Sequence, residues 1–164
     1  MLMPKIIKDG QIQDDNWQLI AKDATDNLPT GDIIVPVELW KEQADSLNQR
    51  DGGVAVWIDA GEEAESITAD LDKIAFVAIN FPAFTDGRGY SYARLLRERH
   101  GYQGEIRAIG DVMQDQLQHM FRSGFSSFAL KEGKDIEAAL AGFKTISEPY
   151  QAATDLPPLF RRRD

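Results

Sequence analysis

The chain of 164 residues reads as an α/β protein in which five strand–helix units surround a parallel sheet. Three observations predict this. Apolar runs such as Val54–Ile58 and Ile74–Ile79 show no polar alternation, as expected of strands covered on both faces. Other segments carry apolar residues at helical spacing, as Trp40, Ala44 and Leu47 do at i, i+4 and i+7. The two kinds of segment alternate from residue 33 onward, the order produced by right-handed crossovers between parallel strands.

Taken in order, Lys5–Lys8 and Gln11-Ile12 read as a hairpin, because Asp9-Gly10 readily supplies the positive φ angles of a tight turn. Residues 5–20 form a small appendage on this reading, and the polar stretch 21–32, with Pro29 and Gly31, is a loop. Ile33–Pro36 is a short strand, followed by the helix of Trp40, Ala44 and Leu47. Val54–Ile58 is the second strand, with a short helix carrying Ala64, Ile67 and Leu71 after it. Ile74–Ile79 feeds a charged loop and a helix to His100, which Gly101 stops as a left-handed residue. Glu105–Ile109 is the fourth strand. Beyond Gly110, Asp111 is expected to cap a helix with Gln114 as reciprocal partner and Met113, Leu117, Met120 and Phe121 as apolar stripe. Ser126–Leu130 is the last strand, and Asp135 caps a helix whose face carries Ile136, Ala139, Leu140 and Phe143. Pro149, Pro157 and Pro158 make 149–164 an irregular tail ending in Arg161-Arg162-Arg163. The chain is read as a single domain.

Two architectures fit. A flavodoxin-like three-layer sandwich is favoured, with a partial (β/α) barrel as the alternative. Arg107 is the point of tension, since a charge in mid-strand is costly between two helix layers unless paired, whereas it suits a polar barrel interior or the edge of a site.

Net charge is −9 and the isoelectric point near 4.7, which argues against nucleic acid or an anionic membrane as the main partner. The absence of cysteine removes disulfides, thiolate nucleophiles and cysteine-held metals. With only two histidines, no transition-metal site is expected. No apolar run approaches the ~20 residues that span a bilayer, and the first residues lack the apolar core of a secretory signal. A cytoplasmic protein is expected, and a homo-oligomer is compatible with it.

In parallel α/β folds the loops after the C-terminal strand ends collect on one edge, where ligands bind. This rule gathers residues 59–62, the loop 85–91, Gly110-Asp111 and residues 131–134 into one rim. The richest part is Phe81-Pro82-Ala83-Phe84-Thr85-Asp86-Gly87-Arg88-Gly89-Tyr90-Ser91. Gly87 and Gly89 free backbone N–H groups at a helix start, Arg88 offers a planar fork to an oxyanion, Asp86 caps the helix or holds that arginine, and Ser91 adds a hydroxyl. With Tyr90, Arg107 and Asp111 these residues make the candidate anion site. The same residues also serve ordinary turn and capping chemistry.

A nicotinamide or flavin nucleotide is the candidate cofactor, because Gly87-Arg88-Gly89 begins like a dinucleotide fingerprint with Asp111 near the place of a ribose-binding acid. Tyr92, however, stands where the third small residue is required. His100 suits a helix C-terminus, and His119 a partly exposed helix surface. Asp111 and Asp115 share a helical spacing that a cation would use, although a plain N-cap explains Asp111 more simply. Ser91, Ser123 and Ser126 have no histidine and aspartate arrangement of a hydrolase around them. The terminal arginines read as a solvated tail or a docking element for an acidic partner.

The motif from Phe81 to Ala93, with Leu96-Arg97, Gly101-Tyr102, Gly104-Glu105, Arg107-Ala108, Gly110-Asp111-Val112 and Asp115-Gln116, resembles the bacterial family called domain of unknown function nine-three-four. The likeness runs through nearly the whole chain, including the Asp9-Gly10 hairpin, Asp15 with Trp17, and Ser123-Gly124-Phe125. Many members carry cysteine where this chain has Ser123, so a thiol role would not transfer. The resemblance implies a place in assimilatory sulfite reduction, as an accessory or regulatory protein or as an oxidoreductase. Sulfite reductase or another sulfate-assimilation protein is then the implied partner. A purely structural interaction module is the third reading.

Overall fold

Asp9 and Gly10 both take positive φ, 54° and 73°, closing a hairpin between β1 (Lys5–Lys8) and β2 (Gln11–Asp14). The computed structural model describes residues 5–23, 26–83, 85–131 and 133–147. Phe84, Glu132, the Phe143 side chain and everything beyond Ser147, including Pro149, Pro157, Pro158 and the arginines at 161–163, lie outside the described residues. The hairpin is no appendage: β1 pairs antiparallel with β8 (Ser127–Phe128) and joins the main sheet.

The sheet has eight strands in the order β2-β1-β8-β7-β6-β5-β4-β3. Its parallel part comprises β3 (Gln18–Leu19), β4 (Ile33–Pro36), β5 (Val54–Ile58), β6 (Val77–Phe81), β7 (Ile106–Gly110) and β8. Sequential strands are spatial neighbours throughout this part. A doubly wound sandwich would instead reverse strand order at a switch point, sending helices to both faces. The favoured three-layer expectation is therefore corrected, and the barrel alternative describes the fold.

Chain length alone forces the curl. β2 and β3 occupy opposite edges of the sheet, yet residues 15–17 join them. Flat, eight strands would hold their edges about 34 Å apart at ~4.8 Å per step. The span from Asp14 to Gln18 reaches at most about 14 Å. The sheet must bend back on itself, giving a half-barrel.

Helical segments cover the outer face. They are α1 (Val37–Asn48), a 3₁₀ segment at Ala64–Asp70, α2 (Arg88–Arg94) running into a π turn at Leu95–Arg99, α3 (Leu117–Ser123) after a 3₁₀ turn at Gln114–Gln116, and α4 (Ile136–Ser147). The two-residue period of the strands separates two cores. Ile33, Val56, Ile79 and Ile106 point outward against Trp40, Ile67, Leu96 and Leu117. Ile34, Ala55, Trp57, Ala78 and Ile109 point inward with Phe76. Each fully buried aliphatic or aromatic side chain contributes about 1.5–3 kcal/mol relative to exposure.

Trp17 closes the N-terminal end of the curl. Its ring meets Phe76 edge-on at 4.8 Å, and it lies 2.7 Å from where a Cβ on Gly53 would stand, so only glycine fits there. Beside it lies Arg107, whose side chain is 3% exposed. Its Nη1 donates to Asp15 at 3.0 Å, while Nε and Nη2 donate to Glu105 at 3.0 and 2.9 Å. Its guanidinium sits 4.2 Å from the Phe76 ring centre. Lys8 adds a second cation to Glu105 at 2.9 Å. The charge in mid-strand is thus paired inside the curl, and through Asp15 it fastens the edge-to-edge link onto the middle of the sheet.

Several local expectations shift. The segment holding Ile67 is 3₁₀ rather than α. The third and fourth strands of the alternation start later than the apolar runs suggest, at Val77 and Ile106. Asp111 caps no helix: the backbone from Val112 stays non-helical until Gln114, and the Asp111 side chain turns to Lys131 at 3.1 Å. Gly101 does take the left-handed conformation, φ 63°. Asp135 accepts the N–H groups of Glu137 and Ala138, both at 3.1 Å, and caps α4. No described helix is long and apolar enough to cross a membrane.

Candidate functional site

The parallel strands present their C-terminal ends at one mouth of the curl, and three contacts draw the flanking loops together there. Asn80, near the end of β6, donates its amide to Asp59 Oδ1 at 2.8 Å, tying the loop after β5 to the neighbouring strand. Gly110, φ 89°, ends β7 so close to Asn80 that a Cβ would fall 2.2 Å from its Oδ1. Across the loop after β5, the Gly61 N–H donates to the Tyr92 hydroxyl of α2 at 3.0 Å. Residues 59–62, the start of α2, and Gly110-Asp111 with Lys131 therefore share one rim.

Charge on this rim comes in opposed pairs. Lys22, just beyond β3, reaches Asp59 at 3.1 Å and Glu62 at 3.8 Å, with its ammonium 5.5 Å from the centre of the Trp57 ring. Burial would raise the Asp59 carboxyl, but hydrogen bonds from Asn80, Lys22 and the Ala60 N–H outweigh it and hold the group below its ordinary value. Partial desolvation works against the Lys22 ammonium, yet its bond to Asp59 and the field of Glu62 prevail, leaving its pKa raised. Lys22 is thus a fixed cation, unsuited to act as a neutral amine nucleophile. Glu62 uses one oxygen to accept the Asp59 N–H at 2.7 Å.

Asp86 and Arg88 form the second pair. Arg88 Nε and Nη2 both donate to the Asp86 carboxylate, the shortest contact being 2.6 Å, and the Arg88 backbone N–H donates to Oδ1 at 3.0 Å. These bonds hold the Asp86 carboxyl at about 2. The arginine side chain remains 58% exposed. Its Nη1 lies 3.3 Å from where a Cβ on Gly61 would stand.

The predicted site residues divide by position. Asp86, Arg88 and Asp111 lie on the rim. Gly87 is the residue before α2, and Ser91 is exposed on that helix. Gly89 is buried, because a Cβ would fall 2.6 Å from the Phe81 ring. Its smallness serves helix–strand packing. The first backbone N–H of α2, that of Arg88, is already taken by Asp86. Tyr90 packs edge-on against Phe81 at 5.2 Å and near His119 at 4.2 Å, and burial raises its hydroxyl pKa. Arg107 stands apart from all of these: its partners Asp15, Glu105 and Phe76 precede strands, at the opposite end of the sheet. It cannot share one small ligand with Arg88. At the third fingerprint position, Tyr92 spends its hydroxyl on the Gly61 N–H.

Lys22, Trp57 and Asn80 were missed as site residues. Asn80 carried a readable signal, being the polar inward position two residues after Ala78 in an otherwise apolar strand. Lys22 carried none, since it comes from a stretch indistinguishable from a plain loop.

No curated protein and no solved structure matches the chain. A family model, described as bacterial protein of unknown function, matches residues 55–160, which hold the β5 loop, the Asp86–Arg88 pair and Asp111. The chain belongs to that family, DUF934.

Proposed function

We propose that this protein is an accessory of assimilatory sulfite reduction that binds an oxyanion-bearing ligand at the mouth of the curled sheet. One observation carries the site. Asp86 grips Nε and Nη2 of Arg88 and fixes the guanidinium, leaving Nη1 with no hydrogen-bond acceptor among the described residues on an exposed edge beside Gly61. A guanidinium held this way loses little side-chain freedom on binding and still offers N–H groups to a planar or tetrahedral oxyanion. The place is also the end of a parallel sheet where α/β folds put their ligands. The pathway rests on the family resemblance of the motif from Phe81 to Gln116, and the partner it implies is sulfite reductase or a neighbouring enzyme of sulfate assimilation.

Thermal unfolding with sulfate, sulfite and phosphate, on wild type and Arg88→Ala, tests the site. At a hundredfold excess over Kd a ligand adds about 2.7 kcal/mol, roughly 5–10 °C in Tm for a chain of this size. The shift is expected in wild type and absent from Arg88→Ala. Equal shifts in both proteins would remove Arg88 from the reading. Growth of a deletion strain on sulfate, then on sulfide or cysteine, tests the pathway, and equal growth on all three sources would sink it.

A further inference from the structure

We infer that the mouth selects a compact zwitterion, a ligand bearing an oxyanion group and an ammonium together. This inference rests on the oxyanion reading of Arg88 and adds to it a second recognition element, Glu62. Its Oε1 accepts the Asp59 N–H at 2.7 Å, while Oε2 accepts no hydrogen bond from the described residues. The side chain is 18% exposed, so it is not sealed from solvent. Arg88 on one side of Gly61 thus has an open donor edge, and Glu62, the next residue, has an open acceptor oxygen. Gly61, φ 91°, carries no side chain into the space beside Arg88 Nη1.

The charge balance points the same way. Lys22 and Arg88 supply two positive charges to this part of the rim, and Asp59, Glu62 and Asp86 supply three negative ones. The group is net negative before any ligand arrives. A simple oxyanion on the open Nη1 edge of Arg88 makes it more negative and is repelled by the nearby carboxylates. A ligand that brings its own ammonium to Glu62 leaves the balance unchanged and adds a charge-assisted hydrogen bond. Asp59 is less suited to that ammonium, because Asn80, the Ala60 N–H and Lys22 already occupy both of its oxygens.

Calorimetric titration with 2-aminoethanesulfonate and 3-aminopropanesulfonate, against propane-1-sulfonate and butane-1-sulfonate respectively, tests this. The pairs match in size, and two chain lengths allow for the span between Arg88 and Glu62. Wild type is expected to bind the better amino compound about tenfold more tightly than its plain counterpart. Glu62→Gln should abolish that preference while keeping the plain sulfonate, and Arg88→Ala should lose both, with circular dichroism confirming that each variant is folded. If wild type binds plain and amino sulfonates equally in an Arg88-dependent way, the zwitterion inference falls and the oxyanion site stands. If it binds none of them, and sulfate, sulfite and phosphate also give no thermal shift, both fall.

Discussion

Replacing Arg107 by methionine removes a buried cation from between two carboxylates while keeping an unbranched side chain of similar length. Asp15 and Glu105 are each about nine-tenths buried, with side chains 13% and 12% exposed. Breaking such a pair from one side costs about 3–5 kcal/mol, because the remaining charge stays buried without its partner. Glu105 would retain Lys8 at 2.9 Å and the Ser127 hydroxyl at 2.6 Å, and Asp15 would retain the Trp17 N–H at 3.1 Å. These survivors place the expected loss at the lower end, about 3 kcal/mol, still a large share of the ~5–15 kcal/mol that holds a domain folded. Urea unfolding followed by circular dichroism measures it. A loss below about 1 kcal/mol would refute the claim that the network secures the closed edge. Adding Asp15→Asn and Glu105→Gln to Arg107→Met should recover most of the loss, since no buried carboxylate is then left unpaired and the partly exposed Lys8 can turn to water. A triple variant as unstable as the single one would point to lost packing instead.

The same network sets an acid limb. Burial would raise the Glu105 carboxyl, but Ser127, Arg107 and Lys8 together lower it below its ordinary value. A carboxyl depressed in the folded state contributes stability that is complete above its unfolded pKa, about 4.3, and is lost as pH falls through the folded value. Wild type should therefore lose stability below about pH 4, and Arg107→Met should show a shallower slope there in urea titrations.

Further predictions concern the backbone. Gly110→Ala meets both a left-handed φ of 89° and a Cβ 2.5 Å from the Phe81 carbonyl oxygen, so it should cost about 2–5 kcal/mol. Gly101→Ala has a similar φ problem but open space around the new methyl, and should cost only about 1–2 kcal/mol. Equal losses in urea melts would overturn the contact argument at Gly110. Asp135→Ala should cost about 1 kcal/mol by freeing two N–H groups at the start of α4, read in the same assay.

The alternation of apolar runs and helical faces was legible because it depends on neighbours in the chain, and it located all five strand–helix units. The path of the sheet was not. Whether Val54–Ile58 and Val77–Phe81 lie in a sandwich or a half-barrel depends on what closes the edges, and here three residues between two weak strands decide it. Gln18-Leu19 is too short and polar to announce itself as a strand, and the hairpin at residues 5–14 gives no hint that β1 will pair with β8. Arg107 was the one readable trace of the closure. Its partner Asp15 is 92 residues away, so the pairing was invisible while the tension was not.

Arg107 and Arg88 differ in what each has left to offer a ligand. At the N-terminal end every guanidinium nitrogen of Arg107 has an acceptor and the group is buried, so a ligand there would first have to break the link between β2 and β3. At the mouth, Asp86 takes only two nitrogens of Arg88 and leaves the third on an exposed edge. An arginine whose donors are all used has nothing left for a ligand, whereas one fixed on one side and open on the other keeps N–H groups that a ligand can take without breaking the existing pair. Both lie in the family motif and both looked alike as isolated basic residues beside glycine or a strand. The number of nitrogens left over distinguishes them: Arg107 spends all of its donors on the closure, and the open donor edge of Arg88 is what the proposed recognition role rests on.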